Sequence, residues 1–271
     1  MVRSLWTAAS GMIAQQNNVD TIANNLANVN TSGYKTEVAE FKSLLYQDIN
    51  EKSTSANSEQ KPIPSQVGLG VRNSAITSVF TQGAFLDSSN DLAFAINGDG
   101  FFGVQGQDGN TYYTRNGNFV LATDTKGLAL TTTDGLKVLD ADGKPITFDE
   151  SFVASQITVT GDGQICYPDE ANNPKPLGVE IGLWQFNNPS GLEKKDSGLF
   201  SESAASGASM NEYTNDNLRR SELRQGYLEG SNVQVADEMV NMIVAQRAYE
   251  LNSKAIQASD EMMQQANNLR R

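Results

Sequence analysis

The chain has 271 residues, with 20 Lys and Arg against 32 Asp and Glu, no His and a single Cys. Without His there is no Ser-His-Asp or Cys-His catalytic arrangement and no imidazole metal site, and the lone Cys166 leaves no internal disulfide or thiolate cluster. The net charge of −12 offers no basic stripe for phosphates, and no run of about 18 apolar residues is available to span a membrane, so neither nucleic acid nor membrane insertion is expected.

From the N-terminus, Leu5, Ala8, Met12, Gln15, Val19, Ile22, Leu26 and Val29 recur in steps of three and four. This is a heptad seam interrupted only by Gln15, and such a seam packs lengthwise against another helix. The opening residues Met1 to Ser10 lack the apolar stretch of a cleaved signal peptide. Asn24, Asn25, Asn28 and Asn30 compete for backbone hydrogen bonds, and Gly33 accepts the left-handed conformation that ends helices. The helix is therefore expected to stop near Asn28–Asn30, before an apolar patch at Phe41, Leu44 and Leu45. Residues 1–45 read as an N-terminal helical arm with three basic and three acidic side chains.

Residues 46–65 read as an extended connector, polar and poor in apolar side chains beyond its first residues. Residues 66–220 read as a β-rich outer domain. Turn dipeptides recur there at Asn97-Gly98, Asp108-Gly109, Asn116-Gly117, Asp134-Gly135, Asp142-Gly143 and Asp162-Gly163. Short alternating runs lie between them: Leu92, Phe94 and Ile96; Phe102 and Val104; Phe119 and Leu121; Leu128 and Leu130. That spacing predicts an antiparallel sandwich or irregular barrel.

Three patterns in this region imitate chemistry. Gly98-Asp99-Gly100-Phe101-Phe102-Gly103 spells the dinucleotide loop, but a strand pattern follows it where a helix is needed to hold a pyrophosphate. Asp140, Asp142, Gly143 and Asp149 fill part of a calcium loop, yet Val138 occupies the first ligand position and an Asp replaces the closing Glu. Asp169 and Glu170 are adjacent on a loop beside Pro168, which gives no fixed separation across a sugar ring. The expectation is no catalytic residue, no metal and no cofactor.

Residues 221–271 read as a long C-terminal helix from about Val233 to Leu269, about 55 Å at 1.5 Å per residue. It carries two seams on nearly opposite faces. One runs through Val235, Met239, Met242, Tyr249, Ile256 and Met263, and the other through Val244, Ala248, Leu251, Ala255, Ala258, Met262 and Leu269. A helix apolar on two opposed faces sits between layers. The candidate subunit-interface residues are therefore the larger apolar members of these three seams: Leu5, Met12, Val19, Ile22, Leu26 and Val29; Val235, Met239, Met242, Tyr249, Ile256 and Met263; and Val244, Leu251, Met262 and Leu269. The fold class is α+β, with long coiled-coil-like helices from both termini packing together around an antiparallel β-rich middle.

Several stretches resemble the bacterial flagellar rod and hook axial family. At the N-terminal end the resemblance lies in Asn24-Asn25-Leu26-Ala27-Asn28-Val29-Asn30-Thr31-Ser32-Gly33-Tyr34-Lys35. In the middle it lies in Val67-Gly68-Leu69-Gly70-Val71-Arg72, Ile96 to Phe102 and Tyr113 to Gly117. The C-terminal end carries it in Gln225 to Val233, Glu238 to Ile243 and Ala245 to Ile256. Within the family the rod members are nearer than the hook members, whose middle regions are usually larger. The resemblance implies a structural subunit that polymerises helically into a drive-shaft across the periplasm. It also implies export without a cleaved signal peptide, and as partners the chain itself, other rod proteins, the hook, the surrounding basal-body rings and the export apparatus. A secreted β-domain enzyme or adhesin is the alternative from another class, and it leaves the helical ends unexplained.

Overall fold

The computed structural model describes residues 2–50, 65–124, 127–149, 152–169, 173–215 and 217–268. Most of the connector (residues 51–64), Glu170 and Leu269 lie outside the described residues. By its internal contacts the chain divides into two compact units. Unit 1 comprises Met1–Ala27, Glu37–Thr77 and Gln234–Arg271, and unit 2 comprises Asn28–Thr36 and Ser78–Val233.

Unit 1 is built on two helices, α1 (Val2–Ala27) and α2 (Val235–Asn268), which pack together. Asp237 and Glu238 stand in the first turn of α2, where the positive end of the helix dipole favours carboxylates. Two short sheets complete the unit: β1 (Glu37–Ser43) pairs with β4 (Val71–Ser78), and β2 (Tyr46–Asn50) pairs antiparallel with β3 (Ser65–Gly68). The helix stops where the asparagines predict. The stretch that follows is extended, however, with Phe41 on β1 and Leu44 and Leu45 between β1 and β2. The local cause is Asn25, whose Oδ1 accepts the Glu37 N–H and whose Nδ2 donates to the Glu37 carbonyl, both at 2.9 Å. A side-chain amide thus pairs with one peptide as a neighbouring strand would, and β1 starts there.

Among its described residues, unit 2 is β apart from three single-turn 3₁₀ segments. In chain order its strands are β5 (Phe85–Asp87), β6 (Phe94–Asn97), β7 (Phe101–Gln105), β8 (Thr111–Thr114), β9 (Phe119–Asp124) and β10 (Gly127–Thr132). Next come β11 (Lys137–Val138), β12 (Thr147–Phe148), β13 (Thr158–Val159), β14 (Gln164–Pro168) and β15 (Pro174–Glu180). The last are β16 (Leu183–Gln185), β17 (Glu193–Lys194), β18 (Leu199–Ser201), β19 (Met210–Asn211), β20 (Glu222–Gln225) and β21 (Tyr227–Glu229).

The main sheet runs β12-β10-β11-β7-β8-β18-β17, with β9 on β10, β16 on β7 and β19 on β16. Among the described residues its strands pair antiparallel, as the turn dipeptides predict. β7 and β8 form a hairpin closed by Gly106 N–H to the Asn110 carbonyl at 2.8 Å, so a strand does follow the Gly98–Gly103 loop. Asp142-Gly143 likewise makes a turn, the Gly143 N–H donating to the Asp140 carbonyl at 2.8 Å.

The interior of unit 2 is aliphatic and aromatic. Leu92, Phe94, Ile96, Phe102, Val104, Phe119 and Leu130 from the alternating runs share one buried cluster with Ile146, Ile165, Ile181 and Leu183. A second cluster gathers Phe101, Tyr113, Trp184, Phe186 and Phe200, and its rings meet edge to face, as Tyr113 and Phe186 do at 4.8 Å between centroids. Early β20 and β21 return to this domain: β20 pairs with β6 and β21 with β5, so residues just before α2 are part of the β fold.

Candidate assembly surface

Three contacts set the register of α1 on α2. The hydroxyl oxygens of Ser4 and Ser259 are 3.4 Å apart. A Cβ added at Gly11 would lie 2.9 Å from Asn252 Nδ2. Asn25 Nδ2 donates to Glu238 Oε1 at 3.4 Å. Going up α1 by one heptad from Ser4 to Gly11 goes down α2 by one heptad from Ser259 to Asn252, and two further heptads reach Asn25 and Glu238. The helices are therefore antiparallel in a single register. Glu238, Ala245 and Ser259 are the buried residues of α2, and Asn252 shares their heptad position.

The centre of this seam is small and polar, which lets the two backbones approach closely. It is not the apolar seam that periodicity favours. Met242, Ile256 and Met263 of the first predicted α2 seam are half-buried, whereas Val235, Met239 and Tyr249 of the same seam are exposed. On the N-terminal seam Ile22 is buried, while Leu5, Met12, Val19 and Leu26 are half-buried. Val29 is half-buried too, but it lies past the end of α1 and belongs to unit 2.

The second predicted α2 seam faces outward. Val244 is 62% exposed, Leu251 66% and Met262 50%. Val240 and Ile243 extend this apolar stripe, and Trp6 (73% exposed) and Ile13 form a smaller one on α1. Heptad reading passed over these four. They fall outside the chosen seams, although Trp6 and Ile13 stand one heptad apart, a spacing visible in the sequence. With 100° per residue, Val240 and Ile243 lie nearly opposite the Glu238–Ser259 row, whereas Val244 and Leu251 lie about 100° round the helix from it and Met262 nearer still.

Glu238 has a mixed setting. Burial raises its carboxyl above the ordinary range, the Asn25 hydrogen bond opposes that, and neighbouring Asp237 adds to the rise.

Unit 2 holds a second polar feature, entirely buried. Glu229 Oε1 accepts from Lys35 Nζ at 2.6 Å and from the Gly83 N–H at 3.0 Å, while Oε2 accepts from Arg115 Nη1 at 3.4 Å. The three charged side chains are essentially without solvent exposure. Burial lowers the pKa of Lys35, and the Glu229 carboxylate opposes this. Burial likewise lowers Arg115, whose guanidinium also stacks 4.9 Å above the Phe101 ring. Gly33 is needed beside it: its φ is +71°, and a Cβ there would lie 2.7 Å from the Asn116 nitrogen. Only a weak signal in the chain marks this cluster, since Lys35 and Arg115 are isolated cations next to glycine-containing turns.

The comparisons with known proteins cover the same regions. Residues 5–35 match the family described as "Flagella basal body rod protein", residues 95–167 "Flagellar hook protein FlgE/F/G D1 domain", and residues 224–269 "Flagellar basal body rod FlgEFG protein C-terminal". The flagellar basal-body rod protein FlgG of Borreliella burgdorferi is 46% identical over the full length of both chains. FlgG of Bacillus subtilis is 38% identical, again over the full length of both. The flagellar hook-basal body complex protein FlhP of Bacillus subtilis is 31% identical over both full lengths. The chain belongs to the flagellar basal-body rod family, with the distal rod proteins among its relatives, and is a structural subunit of that rod.

Proposed function

We propose that copies of this chain polymerise helically through their terminal helices into a rigid shaft that transmits torque. The observation that carries this reading is the outward apolar stripe of α2, which lies outside the row that packs on α1 and is left exposed in the subunit. Covering the exposed part of each such side chain in a neighbour would contribute about 1–2 kcal/mol, so a helix of this length accumulates a strong lateral contact. Within the subunit, the predicted coiled-coil character then belongs to two kinds of contact. The small polar row pairs α1 with α2, and Val244, Leu251, Met262 and the adjoining Met239 meet helices of other copies. Leu5, Met12, Val19, Leu26, Val235 and Tyr249 flank these contacts, and Leu269 continues the outer seam.

In this reading the helical arm and the C-terminal helix form the polymerising part, and residues 66–220 form the outer part that meets the surrounding rings. Other rod proteins and the hook continue the shaft at its ends. Export proceeds without a cleaved signal peptide, and the protein has no catalytic role. No helix among the described residues is long and apolar enough to cross a membrane. The experiment is sedimentation and electron microscopy of the full chain at increasing concentration. Straight filaments from the wild type and none from Leu251→Asp are expected. A wild type that stays monomeric at every concentration, or a Leu251→Asp chain that polymerises normally, sinks the proposal.

A further inference from the structure

The chain passes between its units four times, and the ends of the unit 2 segments are therefore Asn28, Thr36, Ser78 and Val233. Three of those ends meet on one side chain. Asn232 Oδ1 accepts from the Thr36 N–H at 2.7 Å and from Thr36 Oγ1 at 2.8 Å. Its Nδ2 donates to the Val79 carbonyl at 2.9 Å, to the Thr81 carbonyl at 3.2 Å and to Thr81 Oγ1 at 2.8 Å. The Val79 N–H closes the ring by donating to the Thr36 carbonyl at 2.8 Å. An amide side chain has two donor hydrogens and two lone pairs, so Asn232 is saturated here. Directly below lies the buried cluster, in which Lys35 Nζ bonds both Glu229 and the Thr81 carbonyl, and the Gly33 N–H donates to the Glu229 carbonyl at 2.8 Å.

We propose that Asn232 is a positioning residue that clasps three passages of the chain into one root on unit 2, so that strain entering along one passage is shared by the others. The last clause rests on the torque-carrying function proposed above; the clasp itself does not. The chemistry favours Asn at this place. Asp keeps the acceptor for Thr36 but loses both donors to Val79 and Thr81, and Ala loses every bond. The Glu229 cluster adds a reason for the three passages to order together. A buried carboxylate needs its cations, and Lys35 arrives only with the segment that ends at Thr36.

The test is amide hydrogen exchange on the full-length wild type, Asn232→Ala and Asn232→Asp. Losing these bonds should speed exchange at Thr36 and Val79 by about tenfold or more in Asn232→Ala, with Phe102 and Val104 in the core unchanged. In Asn232→Asp the Thr36 N–H keeps its acceptor, so acceleration should be confined to Val79, whose carbonyl loses its amide donor and faces a carboxylate instead, loosening the bond of its own N–H to the Thr36 carbonyl. Unchanged exchange at Thr36 and Val79 in Asn232→Ala overturns the clasp. Acceleration that spreads to Phe102 and Val104 also overturns it, since Asn232 would then serve the whole unit. Filaments of Asn232→Ala should bend more than wild-type filaments, and equal straightness removes the strain-sharing role. If the wild type forms no filaments the assembly function fails, while the exchange result still decides the clasp.

Discussion

Unit 2 hides its apolar side chains and unit 1 displays them. In unit 2 the largest side chains, among them Phe94, Phe101, Phe102 and Phe119, are fully buried, and even the charges of Lys35, Arg115 and Glu229 are enclosed and paired. In unit 1 the only residues of α2 that are buried are Glu238, Ala245 and Ser259, while Val244, Leu251 and Met262 face outward. The ordinary rule for a globular protein is obeyed in one unit and inverted in the other. Unit 2 buries most of its large apolar side chains within one chain, with Leu86, Val120, Val153 and Leu177 left exposed, whereas α2 of unit 1 leaves its apolar stripe uncovered. That difference separates stability from assembly, and substitutions should reveal it.

The largest effect should come from hollowing the closed core. Phe102 and Phe119 meet edge to face at 5.0 Å between centroids, and both are fully buried. Truncating Phe102 to Ala should cost about 3–5 kcal/mol, read as a lowered thermal midpoint of the β signal. A change under about 1 kcal/mol would mean that this core is looser than its packing indicates.

The open face should behave in the opposite way. Val244→Asp and Leu251→Asp place a charge where the lone subunit is already solvated, so subunit stability should move by no more than about 0.5 kcal/mol. In an assembled contact the same charge is buried without a partner and costs several kcal/mol, which should abolish polymerisation in sedimentation. If melting and polymerisation fell together, the two units would not differ in the way described.

A replacement in the Glu229 cluster tests whether unit 2 tolerates an incomplete set of charges. Lys35→Met removes the cation at 2.6 Å and leaves the carboxylate with Arg115 at 3.4 Å and the Gly83 N–H. A loss of about 3 kcal/mol in the denaturant midpoint is expected, because one partner of a buried pair has been removed. Little or no loss would show that Arg115 alone neutralises Glu229.

The smallest effect concerns Glu238 and the polar row. Its folded-state pKa lies above the ordinary value of 4.5, since burial disfavours the charge. Between those two values the folded chain retains a proton that the unfolded chain has released. The stability from this group is thus complete below pH 4.5 and is lost as pH rises through the folded value. Protection of the amides along the first turns of α2, meaning exchange corrected for its intrinsic rise with pH, should fall over that window in the wild type and stay constant in Glu238→Gln. An identical slope in both chains would assign the pH response to other groups.

Much of this architecture was legible in the chain itself. Periodicity of three and four located both helices, and the asparagines with Gly33 marked where α1 stops, because those side chains and that backbone conformation act locally. The Asn-Gly and Asp-Gly turns and the alternating Phe, Leu and Val runs located the hairpins and most of the core for the same reason. The strand at Glu37–Ser43 was less legible, since what starts it is the Asn25 amide reaching across to the Glu37 peptide.

By itself, then, the sequence determined where the two helices and most of the hairpins lie, and the axial family, all of which depend on short-range pattern or on motif identity. Tertiary structure alone decided which face of each helix is used within the subunit. A heptad pattern reports that a stripe is apolar but not which partner covers it, and here Ser4, Gly11 and Asn25 met Ser259, Asn252 and Glu238 while Leu251 was left outside. The enclosure of Lys35, Arg115 and Glu229 was likewise beyond the sequence, because residues so far apart along the chain acquire a shared environment only when the fold brings them together.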